Sequence, residues 1–320
     1  MKSNMHEDLR ALTTHKPHWS RRDFMAGSVA SGIASGFALA AQPVCAQTII
    51  NTESLNLEAR MVQVPTENGN IPAYYAMPSV MRTPASPSSL PIVVVVQEIF
   101  GVHEHIKDVC RRFAKLGYLA IAPELYYRQG DVSNLKDNAE IFAKVVSKVP
   151  DWQVMRDIDA TVRWAEINGG SRYKLGITGF CWGGRITWLY AAHNDYVKAG
   201  VAWYGRLSGD KNAMNPRHPL DVVENIRAPV LGLYGGDDAG IPQSSVDQMN
   251  AALRKRLMTD PSLIHVYPNT PHAFHADYRA SYREKEARDG WDRCIAWFKK
   301  NGVVADTRTV DFPIGQTKQD

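Results

Sequence analysis

Short apolar runs alternate with amphipathic helical patterns along most of the chain. The predicted strands are Ile92 to Val96, Leu119 to Ala122, Leu175 to Thr178, Ala199 to Trp203, Val230 to Tyr234 and Ile264 to Tyr267. The predicted helices are His105 to Leu116, Val154 to Glu166, Arg185 to Ala192, Ser244 to Leu257 and Glu284 to Asn301. Uninterrupted apolar strands are buried on both faces, and helices supply the crossovers that parallel strands need. The sequence therefore predicts an α/β fold with a mostly parallel twisted sheet and helices on both faces.

An antiparallel hairpin is predicted before this sheet. Two segments rich in β-forming residues, Arg60 to Val64 and Ile71 to Met77, flank the turn signal Glu67 to Asn70. In a chain of 320 residues, the apolar share of 44% and the charged share of 22% are ordinary for a soluble globular protein. We expect one α/β domain over residues 47–320.

The N-terminus carries an export pattern. Ser20-Arg21-Arg22-Asp23-Phe24-Met25 precedes an uncharged stretch from Ala26 to Val44, and small residues follow at a plausible cleavage site. Residues 1–46 resemble a twin-arginine signal peptide, whose partner is the twin-arginine export machinery. Glycine and proline interrupt the stretch, so we expect no stable membrane insertion of the mature chain. A periplasmic or extracellular location is predicted, and a retained anchoring tail is the alternative.

The charge of the chain does not indicate a nucleic-acid partner. The formal net charge is only +4, and the basic pairs Arg111-Arg112 and Lys299-Lys300 lie in helical patterns. Solvated helix faces explain such pairs.

Three cysteines remain if Cys45 leaves with the signal. Cys110 and Cys294 each fall on the apolar face of a predicted helix, where a cysteine acts as a small buried hydrophobe. A disulfide between them stays open, because sequence does not give the distance.

Cys181 occupies a turn with a catalytic pattern. It follows the predicted strand Leu175 to Thr178 and precedes a helix, within Gly179-Phe180-Cys181-Trp182-Gly183. This spacing resembles the nucleophile-elbow pattern, with cysteine in place of serine. A helix that starts at this point offers unpaired amides and a positive dipole end, which favour a thiolate. Cys181 is therefore the predicted nucleophile.

A carboxylate and a histidine follow Cys181 in the chain order that this fold uses for its triad. Gly235-Gly236-Asp237-Asp238 comes after one predicted strand, and a loop containing His272 and His275 comes after the next. On spacing alone, either Asp237 or Asp238 can serve as the acid. The order of the three groups predicts a proton shuttle for Cys181.

The predicted oxyanion hole combines two backbone amides. One belongs to Trp182, directly after the nucleophile, and the other lies near Ile99, after the first parallel strand. Glu98 adjoins this loop and directly follows apolar residues and Gln97. A carboxylate there is expected to be buried and to need a partner.

These motifs together resemble the dienelactone hydrolase family, also called carboxymethylenebutenolidases. The resemblance spans roughly residues 91–300 and rests on Gln97-Glu98-Ile99-Phe100-Gly101, Ala122-Pro123-Glu124-Leu125-Tyr126, Gly179 to Gly184, Tyr204-Gly205, Gly235 to Asp238 and His272-Ala273-Phe274. It implies an α/β-hydrolase fold and a carboxylic ester hydrolase. It also implies Cys181 as nucleophile, Asp238 as the acid that orients the base His272, Glu98 as activator of the thiol, and Ile99 and Trp182 as oxyanion amides.

The family's substrate-binding arginines transfer only in part. Arg128 matches the first, but Ala276 stands four residues after the predicted base, where the family has the second. Arg279 or Arg283 is expected to replace it, and we predict Arg128 and Arg279 as substrate-binding residues. The implied substrate is a small ester or lactone, with or without a carboxylate, and we expect no cofactor and no metal.

Three alternatives remain at this stage. His103, His105, His272 and His275 fit fragments of a zinc site, but they lack a third ligand at recognisable spacing. Cys181 could serve thiol redox chemistry instead of ester attack, although no resolving cysteine is near it in sequence. A non-catalytic ligand-binding protein can also use this scaffold.

Overall fold

Eight strands form one sheet within residues 49–79, 89–135, 137–256 and 262–305, which the computed structural model describes. The strand order is β1-β2-β4-β3-β5-β6-β7-β8. The predicted signal at residues 1–46 lies outside the described residues. The strands are β1 (Leu57–Thr66), β2 (Gly69–Pro78), β3 (Leu90–Val96), β4 (Leu119–Pro123), β5 (Gly170–Phe180), β6 (Val197–Trp203), β7 (Val230–Gly235) and β8 (Leu263–Tyr267).

The predicted hairpin and parallel sheet are confirmed. β1 and β2 pair antiparallel, and β2 continues the sheet by pairing antiparallel with β4. From β4 to β8 every neighbouring pair is parallel. The carboxyl ends of these strands therefore meet at one edge, where open parallel sheets place their ligands.

The predicted helices are also present, with small changes at their ends. The structure adds a short helix, α2, and starts the helix after Cys181 at Trp182 rather than Arg185. Among the described residues, no helix combines the length and hydropathy that crossing a membrane requires. The α-helices are α1 (Glu104–Lys115), α2 (Asn138–Lys144), α3 (Asp151–Ile167), α4 (Trp182–His193), α5 (Gln243–Lys255) and α6 (Glu284–Lys300).

The core lies on both faces of the sheet. Alternate side chains of β3 point to opposite faces, because the side-chain period of a strand is two. Val93 and Val95 belong to one apolar cluster with residues of α1 and α6, and Ile92 and Val94 belong to another with residues of α3. Helices on both faces are thus confirmed.

Two cysteines belong to this core. Cys110 and Cys294 are fully buried and have free thiols. Burial raises the pKa of both thiols. They pack as apolar residues, and the disulfide that sequence left open is not formed between them.

Candidate active site

Cys181 lies at the turn between β5 and α4 in a strained backbone conformation. Its φ of 56° and ψ of −112° are unusual for a residue with a side chain. The Cys181 amide donates a hydrogen bond to the Trp203 carbonyl over 3.0 Å, and this bond ties the turn to the neighbouring strand. The residue is 4% exposed. The fold thus holds the sulfur at the carboxyl edge of the sheet, at the start of a helix.

Two glycines around Cys181 permit the turn. A Cβ atom on Gly179 would collide with the carbonyl group of Gly183, and one on Gly183 would collide with the carbonyl oxygens of Val96 and Gln97. These obstacles are backbone atoms, which cannot rotate away. The Gly-x-Cys-x-Gly spacing is therefore a packing requirement of this elbow as well as a sequence motif.

The predicted acid and base form a hydrogen-bonded pair. Nδ1 of His272 lies 2.6 Å from Oδ2 of Asp238, and both side chains are buried. Burial alone would lower the pKa of His272, but the charges of Asp238 and Cys181 and the hydrogen bonds to them raise it to about 10. Asp237, the other candidate on spacing, is exposed. The geometry brings Cys181, His272 and Asp238 together in the expected order.

Glu98 is buried and has a partner, as its position in the sequence predicted. Its side chain accepts a 2.6 Å hydrogen bond from the Tyr278 hydroxyl, and Nε2 of His103 lies 3.5 Å from the same oxygen. Burial opposes ionisation, but the bond to His103 and the positive charge of Arg279 lower the pKa of Glu98. Burial lowers the pKa of His103 itself, which favours its neutral form. The positive charge beside Glu98 therefore comes from Arg279. Glu98 is thus held as a buried carboxylate.

A cleft of about 630 Å³, part of it open to solvent, exposes the site. Cys181 and His272 line it together with both residues of the predicted oxyanion hole. Trp182 is the first residue of α4, and its amide therefore has no acceptor within that helix. The lining residues are Ile99, Phe142, Val146, Cys181, Trp182, Arg185, Tyr204, Arg206, Asn215, His218, Gly240, Ile241 and His272.

The predicted substrate-binding arginines lie apart from this lining. Arg128 forms a bidentate ion pair with Asp157, with N–O distances of 2.6 and 3.0 Å. Arg279 is buried, and its guanidinium stacks on the rings of Phe100 and Tyr278. Arg283 is exposed at the start of α6.

Two arginines that sequence reasoning did not select line the cleft instead. Arg185 lies in the first turn of α4, and Arg206 follows the Tyr204-Gly205 motif at the end of β6. The location of Arg206 at a strand's carboxyl end was a usable signal. Tyr278, the hydrogen-bond donor to Glu98, is remote from it in sequence and offered no such signal.

The histidines of the zinc alternative have other contacts. Nδ1 of His105 lies 3.1 Å from Oδ1 of Asp277, and His275 stacks on the Phe180 ring. Within the ranges that the structure describes, groups of three or more His, Cys, Asp or Glu arranged to hold a metal are absent.

Comparisons with known proteins place this chain in one class. The model of the family described as "Dienelactone hydrolase family" matches residues 77–302. A Methylorubrum extorquens protein named "Putative carboxymethylenebutenolidase" is 57% identical, over 93% of this chain and 98% of its own length. An Escherichia coli protein of the same name is 53% identical, over 84% and 96%.

A solved structure agrees with these relatives. The crystal structure of a "Putative Dienelactone Hydrolase" from Klebsiella pneumoniae is 55% identical, covers 76% of this chain and 99% of its own, and superposes with a TM-score of 0.72. The fold is therefore that of an α/β-hydrolase. The chain belongs to the dienelactone hydrolase family, and it is a hydrolase that acts on esters or lactones.

Proposed function

We propose that this hydrolase cleaves its ester or lactone through a triad of Cys181, His272 and Asp238 and an acyl-cysteine intermediate. The observation that carries the proposal is the 2.6 Å hydrogen bond between His272 and Asp238 beside a cysteine with positive φ in the elbow. Resemblance to the family supports the same three roles. Each side chain comes from a different strand end, so the sheet fixes their relative positions.

In the first half-reaction, the Cys181 thiolate attacks the carbonyl carbon of the substrate. The tetrahedral oxyanion accepts hydrogen bonds from the amides of Trp182 and Ile99. The C–O bond then breaks, and protonated His272 gives its proton to the leaving oxygen. A pKa of about 10 favours the imidazolium that this step needs at neutral pH.

In the second half-reaction, His272 acts as a base. It has given up its proton, and the thioester has removed the negative charge of Cys181, which was one of the causes that raised the His272 pKa. His272 can then take a proton from water, whose oxygen attacks the thioester carbon. The products are the carboxylic acid and the restored thiolate–imidazolium pair.

Glu98 is the proposed activator of the thiol. Its buried carboxylate and Cys181 both interact electrostatically with the Tyr204 phenol, so the two groups share one part of the site. In the family that the chain resembles, the corresponding glutamate helps to deprotonate the thiol when substrate binds, and we propose the same role for Glu98. The substrate-binding roles of Arg128 and Arg279 stay predictions.

Hydrolysis of para-nitrophenyl acetate by Cys181→Ala tests the triad. Nitrophenolate release should fall to the background rate, while Cys110→Ala, which removes a buried thiol elsewhere, should keep activity. Wild-type turnover in Cys181→Ala would reject the mechanism. The redox alternative would be favoured if the wild type showed no esterase activity and Cys181→Ala lost a peroxide-dependent thiol oxidation that the wild type shows.

Export is proposed on sequence alone. Replacing Arg21 and Arg22 by lysine in the full-length chain should retain the precursor in the cytoplasm of a bacterial host, whereas the unmodified chain should appear, shortened, in the periplasm. Full-length unmodified protein found only in the cytosol would contradict the proposal.

A further inference from the structure

Apart from the Cys181 thiolate of the proposed mechanism, the charged side chains that line the cleft are positive. Two arginines and two histidines line it, and none of its lining residues is an aspartate or a glutamate. Clefts that carry one sign of charge between low-dielectric walls concentrate ligands of the opposite sign. The lining therefore favours a negatively charged group on the ligand.

Most of this positive charge is already engaged. Arg185 forms a buried bidentate ion pair with Asp151, with both N–O distances at 2.7 Å. Its Nε donates a hydrogen bond to Nδ1 of His218, and Nε2 of His218 lies 3.1 Å from the Asp210 carbonyl oxygen. Burial lowers the pKa of His218, and His272 is paired with Asp238.

Arg206 differs from these groups. It is half-buried, and no hydrogen bond or ion pair holds its guanidinium among the residues that the structure describes. Burial lowers the pKa of Arg206, and the positive charge of Arg185 lowers it further. The charges of the buried Cys181 and of the exposed Asp210 raise the pKa of Arg206. A partly desolvated cation of this kind gains from an anionic ligand, because the ligand replaces lost hydration.

The position of Arg206 suits a substrate contact. It follows Tyr204 and Gly205 directly after β6, and Tyr204 packs on the His272 ring with a centroid distance of 5.0 Å. Arg206 and Cys181 interact electrostatically and line the same cleft. A ligand whose carbonyl reaches the sulfur can thus extend toward the guanidinium.

We propose that Arg206 binds a carboxylate of the substrate and makes this enzyme selective for esters or lactones that carry one. The inference rests on the proposed function, since it assumes that substrate reacts at Cys181. A guanidinium can bind a carboxylate through two parallel hydrogen bonds. Arg206 thereby takes the anion-binding role that the sequence assigned to Arg128 and Arg279.

The test compares two esters that carry a carboxylate with one neutral ester. Mono-para-nitrophenyl adipate and mono-para-nitrophenyl suberate carry a carboxylate at different distances from the ester carbonyl. Para-nitrophenyl hexanoate is the neutral counterpart of the adipate. Arg206→Gln should lower kcat/KM for at least one charged ester by about 10- to 100-fold, mainly through KM, and should change the neutral ester by less than about two-fold. Arg206→Lys should restore part of the lost selectivity.

Arg156→Gln is the matched control, because Arg156 is exposed, lies on α3 and pairs with Glu67. It should leave both esters unchanged. Equal losses on charged and neutral esters in Arg206→Gln, or an unchanged ratio between them, would overturn the proposal. A selective loss in Arg128→Gln alone would return the role to Arg128.

A binding measurement separates this inference from the proposed function. The adipic monoanilide and the hexanoic anilide keep the same charge difference in compounds that hydrolyse slowly. Calorimetry should show tighter binding of the charged anilide to the wild type and loss of that preference in Arg206→Gln. Failure of the wild type to hydrolyse any ester would reject the triad, whereas equal binding of both anilides would reject Arg206 as the anion site.

Discussion

Replacing Asp238 by asparagine should disable the His272 base without disturbing the fold. The substitution keeps the size of the side chain but removes the negative charge that is the first of the causes raising the His272 pKa. An asparagine amide can also present an N–H to Nδ1 and select the wrong imidazole tautomer. Both effects act on His272, which lies 2.6 Å away.

The structure gives a magnitude for this change. The pKa of His272 is raised from 6.5 to about 10. At about 1.4 kcal/mol for each pKa unit, the net effect of burial and of the neighbouring groups stabilises the imidazolium by on the order of 5 kcal/mol. Without the Asp238 charge, the His272 pKa should fall by about 1 to 3 units. We expect kcat/KM to fall by roughly 10³- to 10⁴-fold, as a lost tautomer and a destabilised imidazolium imply.

The same pair predicts a pH dependence of stability. The folded-state pKa of His272 exceeds its unfolded value, so its contribution is complete below about pH 6.5 and is lost as the pH rises toward 10. The difference in the free energy of unfolding between the wild type and Asp238→Asn should therefore shrink between these pH values. Urea unfolding at several pH values measures it.

The assay joins kinetics with the titration of His272. Imidazole nitrogen shifts in NMR spectra, assigned by comparison with His272→Gln, give the pKa, and para-nitrophenyl acetate gives the rate. Asp237→Asn is the matched control, since Asp237 is the exposed neighbour in the same turn. The reasoning is refuted if Asp238→Asn titrates like the wild type, or if both asparagine variants lose activity equally.

Three further predictions concern the elbow and its surroundings. Gly183→Ala should lower the free energy of unfolding by about 1 to 3 kcal/mol or prevent folding, because the new methyl group meets backbone carbonyls; an unchanged thermal midpoint would contradict this. Tyr278→Phe removes a hydrogen bond to a buried carboxylate and should cost about 1.5 to 3 kcal/mol in urea unfolding. Iodoacetamide should alkylate Cys181 in the native protein and spare Cys110 and Cys294, whose burial raises their pKa; peptide mapping that finds equal labelling would contradict it.

The sequence predicted most of the fold, because its signals are local. Apolar runs and helical periods identified the strands and all helices except α2, which has only seven residues. Turn residues identified the hairpin. The pairing of β2 with β4 is a long-range contact between strands of opposite direction, and neither strand carries a local signal for it.

The site was predictable where its residues follow strands. Cys181, Asp238, His272 and Glu98 could be selected as candidates because motif and strand end coincide, and their roles stay proposals. The partners of the side chains were not predictable, since the residues around an arginine in the sequence do not reveal whether a distant carboxylate will pair with it. Arg128 meets Asp157 across the fold, while Arg206 remains without an ion pair in the described part of the chain.

Detection of the acyl-cysteine intermediate tests the proposed mechanism most directly. Wild-type protein mixed with a slowly deacylating aryl ester, quenched in acid within milliseconds and examined by intact mass spectrometry, should gain the mass of one acyl group. Peptide mapping should place that group on Cys181, and His272→Gln should lose the adduct or form it far more slowly. Steady turnover without an adduct, or an acyl group on another residue, would contradict a nucleophilic Cys181.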